Sequence, residues 1–259
     1  MDDAGKGPEQ GSGDEPQSLP APDLGKSIPE SVFADDDGSA DPLLAQALIR
    51  FANGRAPLSE VVEALAYARV LVPVMASGDQ RRVGRHGLEQ DEVASTGVVA
   101  VELPDGRSAL PIFTDVESMS VWNPAARPIP AEGPRAALAA VAEDWSVLLL
   151  NPGRETVAIP RPAVWALGRG ETWKPVVVSG EVDPAVREAI SQGVSLDDHV
   201  REVDAVPGSG AEIAVVLRLA AGLTRDELAL VIARVQDQLA GLEVMADRVD
   251  SVELKVLQA

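Results

Sequence analysis

Between Asp41 and Leu257 the sequence alternates two periodicities, and this alternation restricts the fold more than any other feature. Short apolar runs (Val70 to Met75, Val147 to Leu150, Thr156 to Ile159) end in turn residues, as strands do. Between them lie stretches with apolar residues three and four apart, the spacing of helices resting on a core. Asp41-Pro42 predicts a helix start, with Asp as N-cap and Pro in the first turn. Leu43, Leu44, Ala47, Leu48 and Phe51 then recur at helical spacing up to Asn53-Gly54. Pro57-Leu58-Ser59 opens a second helix carrying Val61, Val62, Leu65 and Ala66.

A polar connection over 77–95 precedes a strand from Thr96 to Leu103. The Pro104-Asp105-Gly106-Arg107 turn leads back into a strand from Ala109 to Phe113. Thr114, with Glu117 three residues on, predicts a capping box for a short helix ending near Trp122. Gly133-Pro134 begins an alanine-rich helix to Asp144, and Arg161-Pro162 begins another with Val164, Trp165 and Leu167. Further on, Asp183 to Ser191 reads as a helix, and Val200–Val206 and Ala211–Leu219 read as strands around Pro207-Gly208-Ser209-Gly210. Thr224 with Glu227 caps a helix to Ala240, and Ser251–Leu257 is a final strand. The fold class is therefore α+β. A mixed-sheet N-terminal domain with packed helices is expected at 41–180, and a smaller C-terminal sheet-and-helix domain at 183–259.

Residues 1–40 carry net charge -8 in a Gly-, Pro- and Ser-rich context. Such a segment buries too little apolar area to offset backbone ordering, so 1–38 reads as a disordered acidic tail. The whole chain, at net charge -19, is a poor match for a nucleic-acid backbone, which demands surplus Lys and Arg. It has no cysteine, which excludes thiol catalysis, disulfides and cysteine-ligated metals and fits a reducing compartment. No apolar run approaches the about 20 residues that span a bilayer, and the start lacks the pattern of a signal peptide. The expectation is a cytoplasmic protein with no nucleic-acid or membrane partner.

Chemistry-bearing motifs are scarce. The two histidines, His86 and His199, have no HExxH, HxH or third nitrogen or sulfur ligand. The cluster Arg81, Arg82 and Arg85 is followed at once by Glu89, Asp91 and Glu92. There is no nucleophile elbow, P-loop or dinucleotide fingerprint. No catalytic, cofactor-binding or metal-ligating residue is assigned. Two segments hold four of the eight aromatics: Leu110–Glu117 running on to Trp122, and Pro160–Leu167 running on to Gly170-Glu171 and Trp173. Trp122, Trp165 and Trp173 read either as packing residues or as a contact surface. Arg161, between two prolines, reads either as an anion-orienting group or as a partner of Glu171 or of backbone carbonyls.

Pro111-Ile112-Phe113-Thr114-Asp115-Val116-Glu117-Ser118-Met119 resembles the P-x-F-T-s-x-E-x-L signature of the SseB family, named for enhanced serine sensitivity. Met119 stands where Leu is commoner. Val72-Pro73-Val74 is similar to the family's first strand, Pro160–Leu167 with Gly170-Glu171 to its second landmark, and Asp250–Lys255 to its smaller C-terminal domain. The resemblance covers 41–259. It implies no catalytic residues, since the family is not an established enzyme class and its name records a phenotype. The expected function is a non-enzymatic protein-interaction or regulatory module that binds a protein partner or itself, a homodimer through an edge strand of the C-terminal sheet included. Phe113, Glu117, Trp122, Arg161, Trp165 and Trp173 form the candidate interaction surface, and no cofactor is expected. The alternative is a sensor of an anionic metabolite, or an enzyme, with a pocket near Arg161 and Arg127.

Overall fold

The computed structural model describes Phe33, residues 36–75 and residues 97–258. The connection assigned to 77–95, with Arg81, Arg82, Arg85 and His86, lies outside the described residues, as do residues 1–32. In chain order the elements are α1 (Pro42–Ala52), α2 (Leu58–Leu65), β1 (Arg69–Val74), β2 (Val101–Glu102), β3 (Ser108–Ile112), α3 (Val116–Trp122), β4 (Arg127–Glu132), α4 (Gly133–Ala142), β5 (Val147–Leu150), β6 (Val157–Ile159) and α5 (Arg161–Arg169). There follow β7 (Val177–Val178), β8 (Glu181–Val182), α6 (Pro184–Gly193), β9 (Val200–Pro207), β10 (Ile213–Leu219), α7 (Arg225–Ala240), α8 (Glu243–Arg248) and β11 (Val252–Gln258). The class is α+β, with parallel and antiparallel pairings mixed.

The first half is organised by alternation along its strands. β2, β3, β5 and β6 form one sheet in that order, with β3 and β5 parallel. β1 pairs antiparallel with β4 and joins β3 through a Leu71–Phe113 bridge. Val70 and Val72 of β1, Leu110 and Ile112 of β3, and Leu148 and Leu150 of β5 are buried with α1, α2, α4 and α5. The alternate residues Val101, Ala109, Val147 and Leu149 pack with Trp122, as do Leu71, Phe113 and Met119. Small residues let α4 approach closely: a Cβ at Gly133 would stand 2.0 Å from the Leu65 carbonyl oxygen.

The second half is a three-stranded sheet, β11-β10-β9, antiparallel between β9 and β10 and parallel between β10 and β11. A parallel pair needs a long crossover, which α7 and α8 supply. Val186 and Ile190 of α6 and Val231, Val235 and Leu239 of α7 cover Val203, Ala205, Ile213, Val215, Leu217 and Leu219.

The Asp41 carboxylate accepts from the Leu43 and Leu44 amides with Pro42 in the first turn, and Thr224 and Glu227 form the expected capping box. The cap of α3 is corrected by one residue. Asp115, not Thr114, accepts from the Ser118 amide (2.7 Å). Four elements carry no strong sequence signal. β4 holds Pro128 and Pro130, which are tolerated because it is an edge strand. The β7–β8 hairpin and α8 are too short to display a period.

Candidate interaction surface

The Pro111–Met119 motif builds a joint between sheet and helix. Phe113 is fully buried and closes β1 to β3 by two backbone hydrogen bonds with Leu71 (2.8 and 2.9 Å). Its ring lies 5.4 Å from that of half-buried Trp122, tilted by 42°. Thr114 is buried: its amide donates to the Asn151 side-chain oxygen (2.9 Å) and its hydroxyl to Asp115 (2.7 Å). Burial opposes ionisation of Asp115, but the Thr114 hydroxyl and the Ser118 amide and hydroxyl outweigh it and hold this carboxyl below its ordinary value. Glu117, freed from the cap, is exposed and pairs with Arg154 (2.8 Å). Asn151, at φ 52°, sits where an L residue is strained and where Asn is among the best tolerated. Its setting in Asn151-Pro152-Gly153 signals a turn in the sequence and gives no sign of this side-chain role. Arg69 ties the chain's approach to this joint, donating to the Thr114 carbonyl (2.9 Å), to Asp36 (2.7 Å) and to the Ser39 carbonyl.

Arg161 starts α5 and reaches into the second half. Its guanidinium donates to the carbonyls of Ala246 (2.5 Å), Val249 (2.6 Å) and Met245 (3.3 Å). The carbonyls in the last turn of a helix have no acceptor role inside it, so Arg161 caps α8 from another element. Asp250 sits beside it, accepting from the Arg161 amide (3.1 Å) and from Arg107 (2.9 Å), while its own amide donates to Glu212 (2.7 Å). Burial first, and the nearby Asp250 charge, push the Glu212 carboxyl up.

Trp165 lies within α5 and Trp173 in the segment that follows it. Trp165 is 45% exposed with the Arg169 guanidinium 5.9 Å from its ring centre. Half-buried Trp173 lines a cavity of about 540 Å³ with Glu63, Tyr67, Leu167, Lys174 and Asp183. Arg161 is not among its lining residues, and Arg127 stands on exposed β4. The structure thus brings Phe113, Trp122 and Glu117 together around one joint, places Trp165 and Trp173 on α5 and the segment after it, and directs Arg161 to α8. Among the described residues no group of three or more His, Asp and Glu is placed to hold a metal ion. No described helix is long and apolar enough to cross a membrane.

β11 lies at one end of its sheet. Among the described residues it has β10 on one side and no strand on the other. Val252, Val256 and Leu257 are 42%, 45% and 44% exposed. Glu253 anchors the strand, accepting from the Ser209 amide (2.8 Å) and hydroxyl (3.0 Å) and the Gly210 amide (3.3 Å), and pairing with Lys255 (3.0 Å). The Ser209 amide, helped by Lys255, holds Glu253 down to about 2.

Residues 44–166 match the family model of the SseB protein N-terminal domain. The match runs from α1 into α5 and so takes in the joint at Phe113, while the sheet ending in β11 lies beyond it. No curated protein and no solved structure matches the chain.

Proposed function

Starting from an SseB N-terminal domain at residues 44–166, we propose that the chain is a cytoplasmic interaction module that works by binding another polypeptide rather than by catalysis. The observation that carries this reading is the outer edge of β11, a seven-residue strand with no neighbouring strand on that side among the described residues and with exposed Val252, Val256 and Leu257. Such an edge binds an extended segment by strand addition, in which main-chain hydrogen bonds give affinity and side chains give selectivity. The residues singled out in the sequence support the role of scaffold. Phe113, Thr114 and Asp115 brace the sheet against α3, and Arg161 braces the two halves, so that β11 is presented on a fixed frame.

The test compares the full chain with a Val256→Pro variant as bait in its native cytoplasm at moderate salt. The Val256 amide faces away from β10, so proline removes an outward donor and leaves the existing ladder intact. A stoichiometric polypeptide partner retained by the parent chain and lost from the variant is the expected result. Equal recovery on both baits would refute use of this edge.

A second reading, a small-molecule site, is favoured by the cavity at Trp173. It is large enough for a metabolite, and Lys174 and Glu63 offer both charges. A ligand there at 100 times its dissociation constant would raise stability by about 2.7 kcal/mol and alter Trp173 fluorescence.

A further inference from the structure

We propose that β11 pairs with β11 of a second copy of this chain, antiparallel about a twofold axis at Leu254, so that Glu253 of each strand faces Lys255 of the other. This rests on the edge-binding reading above and names the occupant.

Backbone direction comes first. The Ile213 amide donates to the Ser251 carbonyl, and strand residues alternate sides. Residues 251, 253, 255 and 257 therefore direct their amides and carbonyls toward β10. Val252, Leu254 and Val256 direct theirs outward. An antiparallel partner must use these outward groups in hydrogen-bonded pairs, and residues 253 and 255 then fall in the intervening pairs, where side chains approach most closely.

Sequence selects the register. With the axis at Leu254, Leu254 opposes itself and Val252 opposes Val256, a continuous apolar row on the face that Leu254 shares with the core. On the other face Glu253 meets Lys255 twice. Since Lys255 already contacts Glu253 within its own strand at 3.0 Å, the four charges alternate in sign around the axis. Shifting the axis by one residue in either direction opposes Glu253 to itself or Lys255 to itself, which is unfavourable for directly facing charges. The strand is thus self-complementary in both polarity and charge in the centred register.

The test uses the absence of cysteine from the chain. Full-length Glu253→Cys and Lys255→Cys variants are mixed at 0.15 M salt under mild oxidation, and each is also oxidised alone. In the proposed register the two positions face each other with Cα atoms about 4.5 Å apart, within the range a disulfide spans. The expected product is the mixed disulfide, with little from either variant alone. Self-linked Glu253→Cys or Lys255→Cys as the main product would overturn the register.

Charge reversal supplies a second readout free of cysteine. By sedimentation, Lys255→Glu and Glu253→Lys each weaken the dimer by roughly tenfold, and mixing the two restores it, because every facing pair is again of opposite sign. A parent chain that sediments as a monomer overturns self-pairing. If that monomer still loses a stoichiometric partner on Val256→Pro, the edge serves a different polypeptide. If it loses nothing, edge binding fails as well.

Discussion

Replacing Arg161 with alanine removes one side chain that spans the two halves of the fold. The backbone amide still reaches Asp250, so the loss is confined to the three guanidinium contacts with Met245, Ala246 and Val249. A hydrogen bond from a charged donor contributes about 1.5–3 kcal/mol. The contact with Ala246 is exposed and those with Met245 and Val249 are only partly buried, so water replaces much of what is lost. Counting one to two effective bonds gives a destabilisation of about 2–4 kcal/mol. For a folded body of this size, where 1 kcal/mol moves Tm by about 2–4 °C, the drop is about 4–16 °C. Urea unfolding measures the free energy, and amide exchange measures where it acts. Exchange should rise in α8 and β11 while β3 and β5 stay protected. Arg161→Lys should recover less than half the loss, because one ammonium does not reproduce a planar fork reaching three carbonyls. A change below about 0.5 kcal/mol in Arg161→Ala, or full recovery by lysine, would refute the bracing role and free Arg161 for ligand binding.

Phe113→Ala should cost about 3–5 kcal/mol, because the side chain is fully buried against Leu71, Met119 and Trp122; denaturant titration reads it, and a cost under 1 kcal/mol would argue against the packing described. Gly133→Ala should lower Tm sharply although alanine favours helices, since its Cβ would collide with the Leu65 backbone; an unchanged or raised Tm would count against the close approach. Two carboxyls respond to acid in opposite senses. Glu253, held down to about 2 from an ordinary 4.5, contributes stability that is present above pH 4.5 and is lost as pH falls toward 2. Glu253→Gln should therefore flatten the pH dependence of β11 amide exchange in that window. Glu212 is pushed up by burial, so its ionised form is the costly one and its protonation on acidification favours the fold. Glu212→Gln, which still accepts from the Asp250 amide, should raise stability at neutral pH, and a loss there would contradict the assignment.

What the sequence conveys depends on how locally each feature is determined. Asp41-Pro42 and Thr224 with Glu227 specify their caps within four residues, and both caps form where the spacing places them. Thr114 with Glu117 has the same local spacing, yet Asp115 takes the cap. The reason is non-local: Asn151, 37 residues away, engages the Thr114 amide, and Arg154 engages Glu117. β4 is hidden for a similar reason, since its prolines argue against a strand until β1 pairs with one edge and leaves the other, which needs no donors, to the prolines. Arg161 shows the limit most clearly. Flanked by prolines at a helix start, it has the local chemistry of an anion site, and its guanidinium is directed instead to a helix end some 85 residues later. The strand at 252–258, by contrast, is legible from alternation alone, and its outer edge, without a neighbour among the described residues, follows from lying last in a three-stranded sheet. Its V-E-L-K-V pattern acquires meaning only when the side facing β10 is known. That one geometric fact separates residues already hydrogen-bonded from those still able to bond, and it turns an ordinary amphipathic strand into one that complements itself.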